Sequence, residues 1–290
     1  MKKNPWLLYA LTTTLFWGVW GAFTETSEYS GTIIYIIWSV IMLLPALIAL
    51  RNINWKPETD KKSIFYGLII GLLGAGGQLI LFTGAIANGP AYLIFPIISL
   101  SPVLTILLSV LFLKEKASIK GWIGIILALV AIPFLSYQDP DSQFGSSYVW
   151  LIYALLVFAA WGLQAYFMKF ANTRMKAESI FFYMTLTGLL LAPFAWFMTP
   201  SAELSQIDWS LKGVSFTAAI QLLNAVGALT IVYAFRYGKA IIVSPLTNAV
   251  APVITVIISL ILYSTIPHPM IISGMVLAVV SMFVLAFEDS

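Results

Sequence analysis

The chain has 290 residues, of which 60% are hydrophobic and only 9% are charged. Soluble domains carry roughly 25% charged residues, so this composition cannot clothe a water-exposed surface, and the chain reads as an integral membrane protein. It contains no cysteine, which excludes a disulfide framework and a thiolate metal site, and its formal charge of +3 matters less than where the charges sit.

Apolar runs of about 20 residues recur along the chain, the length a helix needs to cross a hydrocarbon core of about 30 Å. A membrane barrel would alternate with period two in segments of about 10 residues, a pattern this sequence lacks. The first run, Pro5 to about Phe23, follows "MKKN". It is too long for a signal peptide, has no small-residue cleavage site and precedes many further spans, so it reads as a retained helix. In chain order the predicted helices cover approximately 5–24, 32–50, 63–87, 91–113, 119–137, 148–170, 178–198, 211–235, 240–263 and 269–287. Cytoplasmic loops are enriched in Lys and Arg. With the N-terminus inside, the inner segments of this ten-helix scheme hold 14 of the 15 basic residues, and only Lys212 falls outside. The sequence therefore predicts a multi-pass protein of the plasma (cell) membrane, the inner membrane of a cell with two, with both termini cytoplasmic.

The chain also repeats itself. Gly89, Ala91 and Pro96 match Gly238, Ala240 and Pro245 at an offset of 149. After a one-residue slip, Pro102, Thr105, Ser109, Gly124 and Ala128 match Pro252, Thr255, Ser259, Gly274 and Ala278 at an offset of 150. Near the start of each half, "FWGVWGAF" meets "AAWGLQAYF" and pairs Trp17-Gly18 with Trp161-Gly162. Five helices are an odd number, so the second copy enters the membrane from the opposite side. The loops agree: "LKEKAS" is basic and "YSTIPHPM" is not, whereas "ANGPA" is uncharged and "FRYGKA" is basic. The predicted fold class is all-α integral membrane, ten transmembrane helices as two inverted five-helix repeats, residues 1–140 and 146–290.

Pro96 and Pro102 in the fourth helix, and Pro245 and Pro252 in the ninth, would be helix breakers in water. In lipid the freed carbonyls need neighbouring helices or a wet cavity to satisfy them. Packing kinks explain any single proline. Interrupted helices at matching places in both halves point to a transporter's central site, so these four are candidate hinges lining a cavity. Ser99 and Asn248 follow Pro96 and Pro245 by three residues, and Tyr92 shares the stripe of Pro96 and Ser99. In the eighth helix Thr217, Gln221, Asn224 and Ala228 share a face, offering uncharged donors and acceptors. Gln78 lies on a stripe with Gly67, Gly71 and Gly74, which also reads as a close-packing surface. Trp17 and Trp20 correspond to Trp161 and Gln164, and all lie well inside their spans. For each of these, interhelical packing is the plainer alternative. Tyr35, Trp38 and Tyr183 are secondary candidates.

No Asp, Glu, Lys, Arg or His falls clearly inside a predicted span, which argues against coupling through a buried carboxylate and against a strongly charged solute. Glu25 and Lys169, at helix ends, read as solvated. The sole histidine, His268, sits between prolines in "IPHPM" and reads as part of a rigid loop rather than a catalytic group.

These features together resemble the drug/metabolite transporter superfamily, in particular its ten-helix EamA-like members. The resemblance rests on the two repeats, the "WG" pair opening each, and "SPVLTILLSVLFLKEKAS" closing the fourth helix. It implies alternating-access transport of small organic solutes, often export of amino acids or related metabolites. It also implies a central cavity framed by helices three, four, eight and nine, with one and six nearby. The related small multidrug transporters couple to protons through a glutamate in their first helix. Thr12, Thr13, Thr14 and Trp17 occupy that helix here. "GPAYLIFPIISLSPVLTILLSVLFLKE" also resembles the sugar-uptake branch. The expected function is transport of a neutral or zwitterionic metabolite, with sugar uptake, or a non-transporting sensor or scaffold, as alternatives. The expected partners are a small-molecule substrate and the lipid bilayer, with no cofactor, metal or nucleic acid and no enzymatic activity. The duplication already supplies two halves in one chain, so nothing in the sequence argues for a dimer.

Overall fold

The computed structural model describes residues 5–24, 29–85, 88, 94, 97–135, 137, 149–263 and 268–287, without the side chains of 24, 256, 259, 260, 262 and 263. Tyr92, Pro96 and Glu25 lie outside the described residues. The long helices are α1 (Pro5–Thr24), α2 (Gly31–Asn52), α3 (Lys61–Ala85), α4 (Ile97–Leu113) and α5 (Ile119–Leu135). They continue with α6 (Val149–Ala171), α7 (Ala177–Met198), α8 (Leu211–Tyr237), α9 (Ala240–Tyr263) and α10 (Pro269–Ala286). There is no strand among the described residues. Seven of these helices (α1, α2, α3, α6, α7, α8 and α10) are long and apolar enough to cross a membrane, and α4, α5 and the first part of α9 are shorter apolar helices.

Local chemistry sets the ends. Asp60 caps α3 by accepting from the N–H groups of Lys62 and Ser63 at 3.1 and 3.2 Å, and Ser210 caps α8 from Gly213 at 3.2 Å. His268 Nδ1 accepts from Met270 N at 3.2 Å while its ring stacks on Tyr137 at 4.3 Å, the structural role expected of it. The left-handed Lys114 ends α4. A single helical turn, Ser201–Leu204, precedes α8 and has no counterpart in the sequence-based scheme.

Three departures from regular α-helix are absent from that scheme. The helix α3 widens into π turns at Leu72–Gly76 and Leu81–Ala85, and α4 does so at Ser109–Leu113. Such turns are frequent at functional sites. The prolines differ between the halves. In α4 the chain turns at Leu100, so Pro102 stands in the first turn of the segment Ser101–Leu108, where a missing N–H costs little. In α9 the helix runs on through both Pro245 and Pro252. The expected matched pair of interruptions is thus found in α4 only, within the described residues. Near the α9 prolines two side chains add bonds to carbonyls of the preceding turn: Thr247 Oγ1 donates to Val243 O at 3.0 Å and Asn248 Nδ2 to Ser244 O at 3.0 Å.

Packing between the halves recurs at the sequence offsets. The helix α1 lies against α8 and α9, and α6 lies against α3 and α4; α2 meets α8 as α7 meets α3; α5 meets α10. Small residues permit each approach. A Cβ on Gly18 would stand 2.5 Å from Ile254 Cβ and 2.9 Å from Ala251 O; one on Gly162 would stand 2.8 Å from Leu104 Cβ and 2.9 Å from Ser101 O. Thr255 Oγ1 donates to Gly18 O at 2.8 Å, and Thr105 Oγ1 donates to Gly162 O at 3.0 Å. Gly124 abuts Leu285, and Gly274 abuts Leu135.

Candidate functional site

The polar residues of α8 sit where that helix crosses α1 and α2. Gln221 is 2% exposed and Asn224 9%. Their spacing of three puts both on one helix face. From α1, Trp17 Nε1 donates to Asn224 O at 3.3 Å, and Trp20 Nε1 donates to Gln221 Oε1 at 3.3 Å. From α2, Trp38 Nε1 donates to Asn224 Oδ1 at 2.8 Å. The Trp17 ring fits the notch left by Gly227. One turn further, Thr13 Oγ1 meets Thr230 Oγ1 at 2.8 Å and donates to Gly227 O at 3.2 Å. The result is a line of indoles, carboxamides and hydroxyls between three helices.

The other half answers with a different chemistry. Trp161 Nε1 donates to Gly74 O at 3.4 Å, and its ring occupies the notch of Gly77, as Trp17 does with Asn224 and Gly227 150 residues later. At that same offset, however, Gly71 and Gly74 stand where α8 has Gln221 and Asn224. The space at Gly74 is filled from α6 by the Gln164 carboxamide. Each half keeps a carboxamide at the crossing, carried by α8 in one and by α6 in the other. Gly71 also abuts Thr187, and Gly67 abuts the Tyr183 ring, so the glycine face of α3 is a close-packing surface. Gln78 on the same helix is buried.

Asn248 on α9 and Ser99 on α4 are half-buried. Asn248 gives one of its two side-chain N–H groups to Ser244 O of its own helix and keeps the other N–H and its oxygen. Its depth is set by α1: Gly18 lies against Ala251, one turn beyond Asn248, while Trp17 lies at Asn224. Pro102 and Pro245 are buried and Pro252 half-buried. Trp20, and Trp38, a secondary candidate from the sequence, hold the carboxamide oxygens directly; the signal available was only that a buried indole needs an acceptor.

Lys169 departs from expectation. It is not a solvated helix end: its ammonium donates to Gly238 O at 2.6 Å and lies 3.9 Å from Glu115 Oε1, with side-chain exposures of 20% for Lys169 and 9% for Glu115. Glu115 Oε2 in turn accepts from Ile241 N at 3.1 Å. The polar loop after α4, the end of α6 and the start of α9 are thereby tied together. A buried charge persists when it is paired and hydrogen-bonded; here the two charges pair and each makes a backbone bond, while Glu115 Oε1 has no hydrogen-bond partner. Two surface clefts lie away from the carboxamides. One, of about 250 Å³, is lined by Asp60, Lys62, Ser63, Tyr66, Arg174 and Met175; the other, of about 370 Å³, is formed by Ile36, Leu189, Ala192, Pro193, Trp196 and Phe197.

An apolar helical bundle, with seven helices among the described residues long and apolar enough to cross a bilayer, defines a multi-pass membrane protein. The chain belongs to the EamA-like transporter family, whose model matches residues 4–137 and again 148–287. It is therefore a membrane transporter of the drug/metabolite transporter superfamily, a family of transporters rather than enzymes. An uncharacterized protein from Methanocaldococcus jannaschii is 30% identical over 134 residues, which make up 46% of this chain and 97% of that protein. A crystal structure of another protein superposes with a TM-score of 0.80 over 99% of each chain at 16% identity, a likeness of fold alone.

Proposed function

We propose that this protein moves a small neutral or zwitterionic metabolite, an amino acid or related solute, out of the cell by alternating access. The reading takes the chain as two inverted five-helix repeats, residues 1–140 and 146–290. All ten helices then cross the membrane, with both termini cytoplasmic. The recurrence of Trp17–Gly227 and Gly18–Thr255 contacts as Trp161–Gly77 and Gly162–Thr105 supports that symmetry. A relative that is hardly longer than one such unit supports it too. The basic residues assign the ends of α4, α6 and α8 to the cytoplasm.

The observation that carries the functional reading is the pair of carboxamides on α8, buried at mid-helix and bonded to indoles of α1 and α2. Intramembrane polar groups are costly and face the bundle interior. These bind without charge, which suits a solute that is neutral overall. Gln78, Ser99, Trp161, Gln164 and Asn248 complete the lining from the other side, and Tyr92 is assigned to it by its sequence stripe alone. Rocking one repeat against the other exposes the seam to either face. The turn at Leu100 and the prolines Pro96, Pro102, Pro245 and Pro252 serve as the compliant points.

Flux measured in liposomes holding the purified protein tests the reading. A radiolabelled panel of amino acids, sugars and amines should include a solute whose transport saturates. Asn224→Ala and Asn248→Ala should each lower that transport about tenfold or more, the scale of losing one bound hydrogen-bonding partner. A panel that yields no flux in either direction defeats the proposal.

A further inference from the structure

The indoles fix which way the two carboxamides of α8 point. A tryptophan N–H only donates, so the atom of Gln221 facing Trp20 and the atom of Asn224 facing Trp38 must both be oxygen. The amide orientation follows from bonding rather than from choice. Each residue is then left with its NH₂ group, and the two are one helical turn apart on one face. The Gln221 Nε2 is buried and has no hydrogen-bond partner. A buried polar atom without a partner is uncommon in a folded protein and calls for a reason.

Resting on the transporter reading above, we propose that Gln221 Nε2 and Asn224 Nδ2 form a donor shelf for an oxygen acceptor of the solute. The site then takes solutes that carry a carboxylate, and discriminates against the amines that remain when the carboxylate is removed. Asn224 is the more accessible of the two and meets the solute oxygen first; Gln221 lies deeper. Asn248 offers the opposite pole. One N–H of its Nδ2 is engaged by Ser244 O, and its Oδ1 is an acceptor suited to the ammonium of a zwitterion. A site that leaves buried donors unpaired rejects an analogue lacking the acceptor far more strongly than a site that merely fits a shape.

Matched pairs of probes test this in liposomes with the wild-type protein: L-leucine, L-threonine and L-glutamine, each against its decarboxylated amine, alongside glucose. At least one amino acid should move, with its amine tenfold or more weaker as a competitor. Amines that compete as well as the acids, or transport of glucose alone, overturn the donor shelf and leave the transporter reading standing. No flux for any probe, or for the wider panel, overturns both. A second arm separates recognition from packing. Gln221→Met should raise KM tenfold or more and lower the Tm, because the bond from Trp20 to Gln221 is lost. Combining Gln221→Met with Trp20→Phe removes both partners, and the Tm should recover while KM stays raised. Recovery of KM in the double variant would show that Gln221 only holds α1 to α8.

Discussion

An indole N–H and a carboxamide oxygen are each expensive to leave bare in lipid, and at this seam they settle one another's account. Trp38 Nε1 and Asn224 Oδ1, at 2.8 Å, form the shorter of the two pairs. Trp38→Phe keeps most of the ring's packing and strands the oxygen, which should cost about 1–3 kcal/mol. Thermal unfolding in detergent reads this as a lowered Tm. Trp20→Phe, which gives up a 3.3 Å bond, should cost less. At this scale the sequence was informative wherever chemistry was out of place: Gln221, Asn224, Trp17 and Trp161 stand out because polar or indole groups in an apolar run need partners. The partners themselves were not legible. Which atom an indole reaches depends on the rotation of two helices about their axes, and nothing local to Trp38 encodes the rotation of α8.

Helix pairing is decided by a few glycines. A close approach of α1 to α9 passes through Gly18, and one of α6 to α4 through Gly162. Alanine at either place would drive a methyl against backbone oxygen at 2.9 Å as well as against a side chain. Neither partner can yield without the helices separating. Gly18→Ala and Gly162→Ala should each destabilise by about 1–3 kcal/mol, the usual range for overpacking. The matched geometry predicts similar losses for the two, which parallel Tm measurements would check. Gly188→Ala on α7 serves as the control, since its nearest neighbour would be 3.6 Å away, and it should be close to neutral. The helices themselves were readable because an uninterrupted apolar run in lipid has few alternatives to helix. Their interruptions were not. Pro102 and Pro252 occupy matching positions in sequence, yet one begins a helical segment and the other lies inside an unbroken helix. The difference is made at Leu100, a residue with no distinguishing chemistry. The π turns of α3 likewise carry glycines met by distant side chains, Gly74 by Gln164 and Gly84 by Tyr153.

For the whole molecule, the charge pattern that oriented the helices also marks a lock. Lys169, Glu115 and the backbone at Gly238 and Ile241 join α6, the loop after α4, and α9 at the end assigned to the cytoplasm. In the proposed cycle this end must part before solute can enter from inside. Removing Lys169 alone, as Lys169→Met, leaves the Glu115 carboxylate buried without its cation, and should cost about 3 kcal/mol or more. Glu115→Gln combined with Lys169→Met removes both charges, so its loss should be smaller than that of Lys169→Met, a coupling a double-mutant cycle measures. In the proposed cycle these contacts belong to the state closed at that end, so the double variant should also favour the cytoplasm-open state. The chain has no cysteine of its own, so a single Asn248→Cys reports the opening cleanly. In inverted membrane vesicles, a membrane-impermeant maleimide should label that cysteine faster when Glu115→Gln and Lys169→Met are present than when they are not. Equal rates would mean that the Lys169–Glu115 tie fastens the fold without governing access, and that the gate must be sought elsewhere along α4 and α9.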